Sequence, residues 1–456
     1  MSTSSSSEQP HVVIVGAGFA GLEAAKALRS APVRVTLVDR NNYHKFQPLL
    51  YEVAMAGLEP DDIAHNVRSI FQGSDTVRFR LGTVVGIDRE AQQVHIQNDG
   101  PLSYDALIMA VGAVSTDFGI PGVQEHAFPL KNVPDAVDLR NHVLRQFERF
   151  DRHREAAGEG ALTFVIVGGG PTGVEMAGAL VELFDTLNDD FAGFDTREQA
   201  RCVLVEMEED LLPPYQASLR AYTRRVLEAR GVDVQTEMAV ERVDADRVHF
   251  RGGQVLPAQT LVWAAGVKAS PLADLLGVEQ ARDGRVVVRP DLSVPEASDV
   301  YVVGDMAAIE GDDGYEPQLA QVAMQSGRHA AKQIVRRLRD EAPVPFSYRD
   351  YGQMATIGRN AAVAELPGGI TFKGLFAWVI WVFIHIAKLV GFRNRLSALV
   401  NWAYNYFTYS RSARLILDDV PDLDPSSVEE QQASEKEEAL ESGVRAEPAA
   451  VGPSGP

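Results

Sequence analysis

Two glycine-rich turns of one design constrain this chain more than any other feature. They are Gly16-Ala17-Gly18-Phe19-Ala20-Gly21 and, 152 residues later, Gly168-Gly169-Gly170-Pro171-Thr172-Gly173. Each follows a short apolar run, His11–Val15 or Leu162–Val167, that reads as a buried parallel strand. Each precedes a helical pattern, Ala20–Ser30 or about Thr172 to Leu187. Each then returns to an apolar strand closed by an acid: Val33–Val38 ends at Asp39, and Cys202–Val205 ends at Glu206. Two such βαβ units in tandem predict an α/β fold with two Rossmann-like dinucleotide-binding domains.

A strand, a glycine turn and a helix together make an anion site. The helix N-terminus offers unpaired N–H groups and a partial positive charge to a pyrophosphate. Gly18 and Gly170 let the backbone approach the phosphates, whereas Gly21 and Gly173 allow close helix–strand packing. Pro171 suits the first helical turn, where its missing N–H has no partner to lose. A strand-end acid reads ribose hydroxyls. Asp39 lies 23 residues after Gly16, and Glu206 lies 38 after Gly168, the extra length being supplied by Asp185–Ala200. An acid repels a 2′-phosphate, so Glu206 favours NADH over NADPH. Two dinucleotides in one chain imply electrons passing between them. With one cysteine, Cys202, no intramolecular disulfide can accept those electrons, and no multi-cysteine metal or iron–sulfur site is expected. Cys202 itself reads as packing in a buried strand.

Between and after the two units, short segments read as antiparallel strands: Val77–Arg80, Thr83–Asp88 and Val94–Gln97, then Val232–Thr236, Ala239–Val243 and Arg247–Phe250. Ala106–Gly112 and Thr260–Gly266 are apolar strands ending in small-residue turns, and Asp299–Asp305 closes in Gly304-Asp305.

Charge separates the C-terminus from the rest. Residues 371–417 contain no Asp or Glu, six basic residues and three of the four tryptophans. Residues 418–456 hold eleven Asp or Glu against Lys436 and Arg445, about −9 of the net −20. That balance argues against a nucleic-acid partner. The tail reads as a disordered acidic segment, and the Ser-rich residues 1–9 as a disordered leader with neither a basic nor an apolar signal region. Gly374–Ala387 is fourteen residues without a formal charge, bracketed by Lys373 and Lys388. As a helix it reaches roughly 21 Å, short of a bilayer core near 30 Å. Leu396–Ser410 is a second uncharged stretch, rich in Trp and Tyr. Both are expected to lie in the membrane interface, with basic residues towards anionic lipid. A buried dimer surface and a single membrane span are the competing readings.

With Gly304-Asp305 added, the arrangement resembles the two-dinucleotide-binding-domain flavoproteins. The resemblance implies FAD, held non-covalently, at the first turn and NADH at the second, with Asp305 on the FAD ribityl or pyrophosphate. Many such proteins carry a redox cysteine pair facing the flavin. Here the segment Phe46–Ala54 has no cysteine, which sets the chain apart from the glutathione-reductase, thioredoxin-reductase and sulfide:quinone-reductase branches. It is closer to the type II NADH:quinone oxidoreductases. Asn42–Glu52 looks like their flavin-side loop, with Lys45 where an apolar or small residue is commoner. Trp263–Val267, Gly168–Glu175 and Ala320-Gln321-Val322-Ala323-Met324-Gln325 are similar to that family as well.

The resemblance implies a first domain at 10–120 plus 290–345 for FAD, a second at 155–285 for NADH, and a membrane or dimer region at 346–417. Gly112, Gly304, Ala320, Gln321 and Gly266 join the glycine turns and strand-end acids as cofactor-binding positions. Glu175 would sit near the nicotinamide–flavin junction. Gln321 and Gln325 would lie on the other flavin face, where a glutamine amide can donate to a quinone carbonyl. His44 and His385 read as structural. The activity implied is hydride transfer from NADH to FAD, then two-electron reduction of a membrane quinone (menaquinone or ubiquinone) without proton pumping. The setting implied is a peripheral, homodimeric enzyme on the cytoplasmic face of the cell membrane. Two alternatives stay open: a soluble NADH-dependent reductase of a small electron-transfer protein, and a flavin-binding redox sensor with little turnover.

Overall fold

Strands that are apolar along their whole length need cover on both faces, and this chain builds two sheets of that kind. The structure, a computed structural model, describes residues 9–312, 314–390, 395–396, 399–400 and 413–417. The expected leader (but for residue 9), the acidic tail and most of Leu396–Ser410 lie outside the described residues.

The N-terminal part supplies β1 (His11–Val15), α1 (Phe19–Leu28), β2 (Arg34–Asp39), α2 (Leu50–Ala54), β3 (Val77–Leu81) and β4 (Ala106–Met109). The middle supplies β5 (Ala127–Pro129), α3 (Val133–Arg152), β6 (Thr163–Val167), α4 (Pro171–Leu187), β7 (Arg201–Val205), β8 (Val232–Gln235) and β9 (Thr260–Trp263). Then come β10 (Ser293–Val294), β11 (Ala297–Val302), α5 (Ala320–Arg337), β12 (Gln353–Thr356), β13 (Ala362–Leu366), β14 (Ile370–Gly374) and α6 (Leu375–Lys388).

The first sheet has the order β10-β11-β4-β1-β2-β3, parallel except for the β10–β11 pair. Val300 and Val302 of β11 sit opposite Leu107 and Met109 of β4, so a late segment completes an early sheet. The second sheet, β5-β9-β6-β7-β8, is parallel throughout. Its strands face two ways. Phe164 and Ile166 pack in the core with α3 and α4, while Val165 and Val167 pack against the small antiparallel sheet of Val240–Asp244, Arg247–Phe250 and Val255–Pro257.

Two strand assignments need correction. Val77–Leu81 and Val232–Gln235 are not antiparallel. Each is an edge strand of a main sheet, paired in parallel with the strand that ends in the acid. The third antiparallel strand of each small sheet is instead Leu102–Ser103 or Val255–Pro257. The α3 helix also goes beyond the sequence reading.

Helix α5 closes over α1. A Cβ at Gly327 would lie 2.1 Å from the carbonyl oxygen of Ala20, so the two helices touch backbone to backbone. The C-terminal module is the antiparallel sheet β12-β13-β14, running directly into α6. It belongs to the same core as α2, α3 and α4: Ile357, Val363, Ala377 and Trp381 are buried there with Val53, Phe147 and Val174. A Cβ at Gly178 of α4 would lie 2.7 Å from the Ile357 carbonyl group, which sets how closely the module seats. At 14 residues α6 is short, and no described helix is long and apolar enough to cross a membrane.

Candidate functional site

The two glycine turns repeat one geometry. Gly16 and Gly168 have φ of +103° and +115°, which only glycine adopts without strain. A Cβ at Gly21 or Gly173 would lie 1.8 Å from the carbonyl oxygen of Gly16 or Gly168. At Gly18 and Gly170 the fold itself demands nothing: a Cβ would meet only one atom at 4.0 Å in the first case and none within 4 Å in the second. Glycine there leaves an open cradle at each helix start. Neither α1 nor α4 has a side-chain N-cap bond or an acid in its first turn, so their first N–H groups are uncapped by side chains. Both turns therefore fit a dinucleotide pyrophosphate.

The strand-end acids brace these turns. Asp39 accepts from Ala17 N at 2.7 Å and from Asn41 N at 2.8 Å. Glu206 accepts from Gly169 N at 2.5 Å and from Glu208 N at 3.0 Å. Gly112 and Gly266, both at positive φ, end β4 and β9 and come together through a ribbon in which Ala113–Ser115 pairs with Val267–Ala269. Ser270 N donates to the Gly112 carbonyl at 3.1 Å. Trp263 Nε1 donates to the Thr116 carbonyl at 2.7 Å.

Gly304 at the end of β11 sits against Ala20 and Ala323, and its N–H donates to Ser326 Oγ at 3.0 Å. The Asp305 carboxyl is pushed up by burial, against the pull of Lys131 and Arg285. His44 is buried, with a pKa lowered to about 4 by burial, so it is neutral. Its Nδ1–H donates to Ala17 O at 2.9 Å and ties the strand Tyr43–Lys45 to the first turn. Phe19, His44 and Phe46 then pack edge to face.

Glu175 lies on α4, just past the second turn, and is buried. It accepts from Thr356 N of β12 at 3.3 Å. Burial raises its pKa to about 8 against the hydrogen bond from Thr356, with a further push from Glu52 of α2; Trp381 of α6 is buried close by. Tyr215 feels the same carboxyl and is itself pushed up by burial. Sequence reasoning missed Glu52, Tyr215, Thr356 and Trp381. These four carry no spacing signal, because they come from four separate segments. His385 stacks on Trp381 at 4.0 Å between centroids, and its Nδ1–H donates to Trp381 O at 2.7 Å. Burial lowers its pKa to about 4.

Ala320 opens α5. Gln321 and Gln325 follow on it, and their amides engage backbone groups. Gln321 Nε2 donates to Gly352 O at 2.8 Å, and its Oε1 accepts from Tyr351 N at 3.2 Å. Gln325 Nε2 donates to Arg349 O at 2.9 Å, and its Oε1 accepts from Arg349 N at 3.0 Å. Both carboxamides clamp the backbone that leads into β12. Backbone groups outside regular structure need such partners, and two amides on one helix face supply them. Cys202 is buried and free, its thiol pushed up by burial.

Residues 10–327 match the pyridine nucleotide-disulphide oxidoreductase family, and residues 351–411 match the NDH2 C-terminal domain. The chain is 38% identical to the type II NADH:quinone oxidoreductase Ndh of Mycobacterium tuberculosis, over 89% of this chain and 90% of that protein. It is 40% identical to NdhA of the same organism, over 89% of each. The type II NADH:quinone oxidoreductase of Staphylococcus aureus is 32% identical, over 79% of this chain and 90% of its own length. Among solved structures, NDH2 of Plasmodium falciparum in complex with NADH superposes with a TM-score of 0.81 at 19% identity, covering 90% of this chain and all of that one.

Proposed function

This chain belongs to the type II NADH:quinone oxidoreductases, and on that premise we propose that its first glycine turn holds FAD, its second holds NADH, and a quinone is reduced beside the C-terminal module without proton pumping. When bound, FAD supplies the two-electron redox chemistry that links NADH to the quinone. Gly16, Gly18 and Gly21 would seat the FAD pyrophosphate at α1, Asp39 its adenosine ribose, and Gly304-Asp305 its ribityl chain. Gly112, Ala320 and the backbone of Gln321 would border the flavin ring. Gly168, Gly170, Gly173, Glu206 and Gly266 would hold NADH. Gln321 and Gln325 would shape the quinone side by positioning residues 349–352.

The observation that carries this reading is the placement of Glu175. One buried carboxyl on the helix that opens at the second turn is bonded to β12 of the C-terminal module and lies close to Glu52 of α2 and Trp381 of α6. With a pKa near 8 it is mostly protonated at neutral pH. Reduction of a quinone to a quinol takes up two protons with two electrons, and Glu175 is suited to hold one of them.

Helix α6 supports a membrane-surface location. Leu375, Phe376, Val379 and Phe383 are 55%, 60%, 51% and 72% exposed, while Ala377 and Trp381 are buried. The i, i+4, i+8 spacing of Leu375, Val379 and Phe383 puts an apolar stripe outward. We read it as lying in the lipid interface of a peripheral enzyme on the cytoplasmic face, and the same stripe as suited to a homodimer contact.

A quinone-dependent NADH oxidation assay on purified protein tests the activity, its visible spectrum being recorded first. The expected result is a yellow protein that oxidises NADH rapidly only when quinone is added. A colourless protein would overturn the FAD reading. A yellow protein that oxidises NADH only with a small electron-transfer protein would favour the soluble-reductase reading instead.

A further inference from the structure

Helix α4 carries Glu175, Gly178 and Glu182 at i, i+3 and i+7, a spacing that places all three on one face. The turn 357–361, which joins β12 to β13, seats on that face together with the last residue of β12. Thr356 N donates to Glu175 Oε1 at 3.3 Å. The Ile357 carbonyl group lies against Gly178, where a Cβ would stand 2.7 Å from it. Arg359 N donates to Glu182 Oε1. The first contact holds the buried carboxyl of the proposed site, and the last lies about two helical turns further along α4.

That far contact is clasped by Arg230, which follows the helix Ala217–Ala229. Its Nη1 donates to Glu182 Oε1 at 2.6 Å, and its Nη2 donates to the Arg359 carbonyl. Gly358 lies beneath the pair, with φ at +95° and no room for a Cβ, which would stand 2.5 Å from both Arg230 Nη1 and Glu182 Oε1. The turn is also closed on itself. Thr356 Oγ1–H is shared between the carbonyls of Gly358 and Ala361 at 3.1 and 3.2 Å, and Ile357 N donates to Ala361 O at 2.8 Å. A shift at Arg359 is therefore passed to Thr356.

We propose that Glu182 and Arg230 are positioning residues for Glu175: their ion pair holds the turn 357–361 on α4, so that the Thr356 N–H stays on the Glu175 carboxyl. This rests on the reading of Glu175 as a proton holder in quinone reduction. A backbone N–H on a carboxyl favours its ionised form, so a turn that lifts away leaves Glu175 holding its proton to higher pH. The other groups that bear on Glu175 are Glu52 of α2 and Tyr215, with Glu365 of β13 acting on Tyr215 in turn. Helix α6 brings Trp381, and the His385 stacked on it is neutral. The clasp can be cut without substituting any of these.

The test follows quinone-dependent kcat against pH in the full-length flavin-loaded protein and in its Arg230→Met, Arg230→Lys, Gly178→Ala and Glu175→Gln variants. Arg230→Met should move the midpoint of the alkaline decline up by about one pH unit, with KM for NADH within about 2-fold of wild type. Gly178→Ala changes no charge but wedges a methyl group under Ile357, and should move the midpoint the same way. Arg230→Lys keeps a cation but loses the fork that makes both bonds, and should give about half the Met shift. It is also the mildest change and decides the matter where another variant fails to fold. On the Glu175→Gln background, Arg230→Met should change kcat by less than about 2-fold at any pH. An unmoved midpoint in Arg230→Lys would overturn the clasp, because charge at a distance would then explain any shift in Arg230→Met. So would a full effect of Arg230→Met on the Glu175→Gln background. If Glu175→Gln itself leaves the alkaline decline in place, the reading of Glu175 falls and takes the clasp's role with it.

Discussion

The two glycine turns are built alike but furnished differently. Each has a positive-φ glycine, a backbone contact that excludes a Cβ, an uncapped helix start and a carboxylate braced on turn N–H groups. Around the first, α5 lies backbone to backbone on α1 and His44 is pinned to Ala17. Around the second, Glu206 is followed by Glu208, Glu209 and Asp210. One turn is closed over; the other is edged with acids. On the proposed assignment, the closed-over turn suits a resident FAD and the other a substrate that comes and goes. On that proposal, cofactor and substrate are separated by what surrounds a shared turn.

The largest effect should come from adding one methyl group at the second turn. Gly173→Ala puts a Cβ 1.8 Å from the Gly168 carbonyl oxygen, so the helix must shift away from the strand. We expect kcat/KM for NADH to fall on the order of 100-fold with flavin content unchanged. Gly21→Ala, the matching change in the first turn, should instead lower the flavin content of the purified protein. If both variants lost flavin equally, the division between the turns would be wrong.

Glu206→Arg sharpens the contrast from the substrate side. Replacing an acid with a guanidinium should move the NADH-over-NADPH ratio of kcat/KM towards NADPH by on the order of 10- to 100-fold. An unmoved ratio would remove Glu206 from the ribose site.

Glu175 tests where the two halves meet. Its carboxyl is protonated below about 8 and ionises above it. Quinone-dependent kcat should therefore decline through that region in wild type, and Glu175→Gln should lower kcat by roughly 10-fold and abolish that decline. A variant that kept the alkaline decline would mean that another group sets it.

The smallest effect should be at α6. Phe376→Ser with Phe383→Ser removes the two most exposed aromatics of the stripe. Sedimentation with vesicles containing anionic lipid should show binding weakened by roughly 5-fold, with activity towards a short-tailed quinone retained. Unchanged sedimentation would leave the stripe to a partner copy.

What the sequence discloses follows from how local each signal is. Strand, glycine turn, helix, strand and acid are adjacent, so the two βαβ units and the carboxylates at their turns are legible. The uncharged run before Lys388 likewise marks α6 to within a residue or so. Val77–Leu81 and Val232–Gln235 are misread because four or five half-buried residues look the same in parallel and antiparallel pairs. Helix α3 is a different case. Val133, Ala136, Leu139, Val143 and Phe147 are all buried and recur at helical spacing, so the pattern is present in the sequence. The surroundings of Glu175 are illegible for a physical reason: Glu52, Thr356 and Trp381 reach it only after two sheets and the C-terminal module have packed. The engagement of Gln321 and Gln325 with residues 349–352 is equally long-range.

The central claim is that NADH reduces a flavin held in this chain and that the flavin then reduces a quinone. Anaerobic rapid mixing, followed at the visible absorbance of oxidised flavin, tests it most directly. The account predicts bleaching on mixing with NADH and full recovery on adding a quinone, with one NADH consumed per quinone reduced. Bleaching without recovery, or no bleaching by NADH, would contradict it.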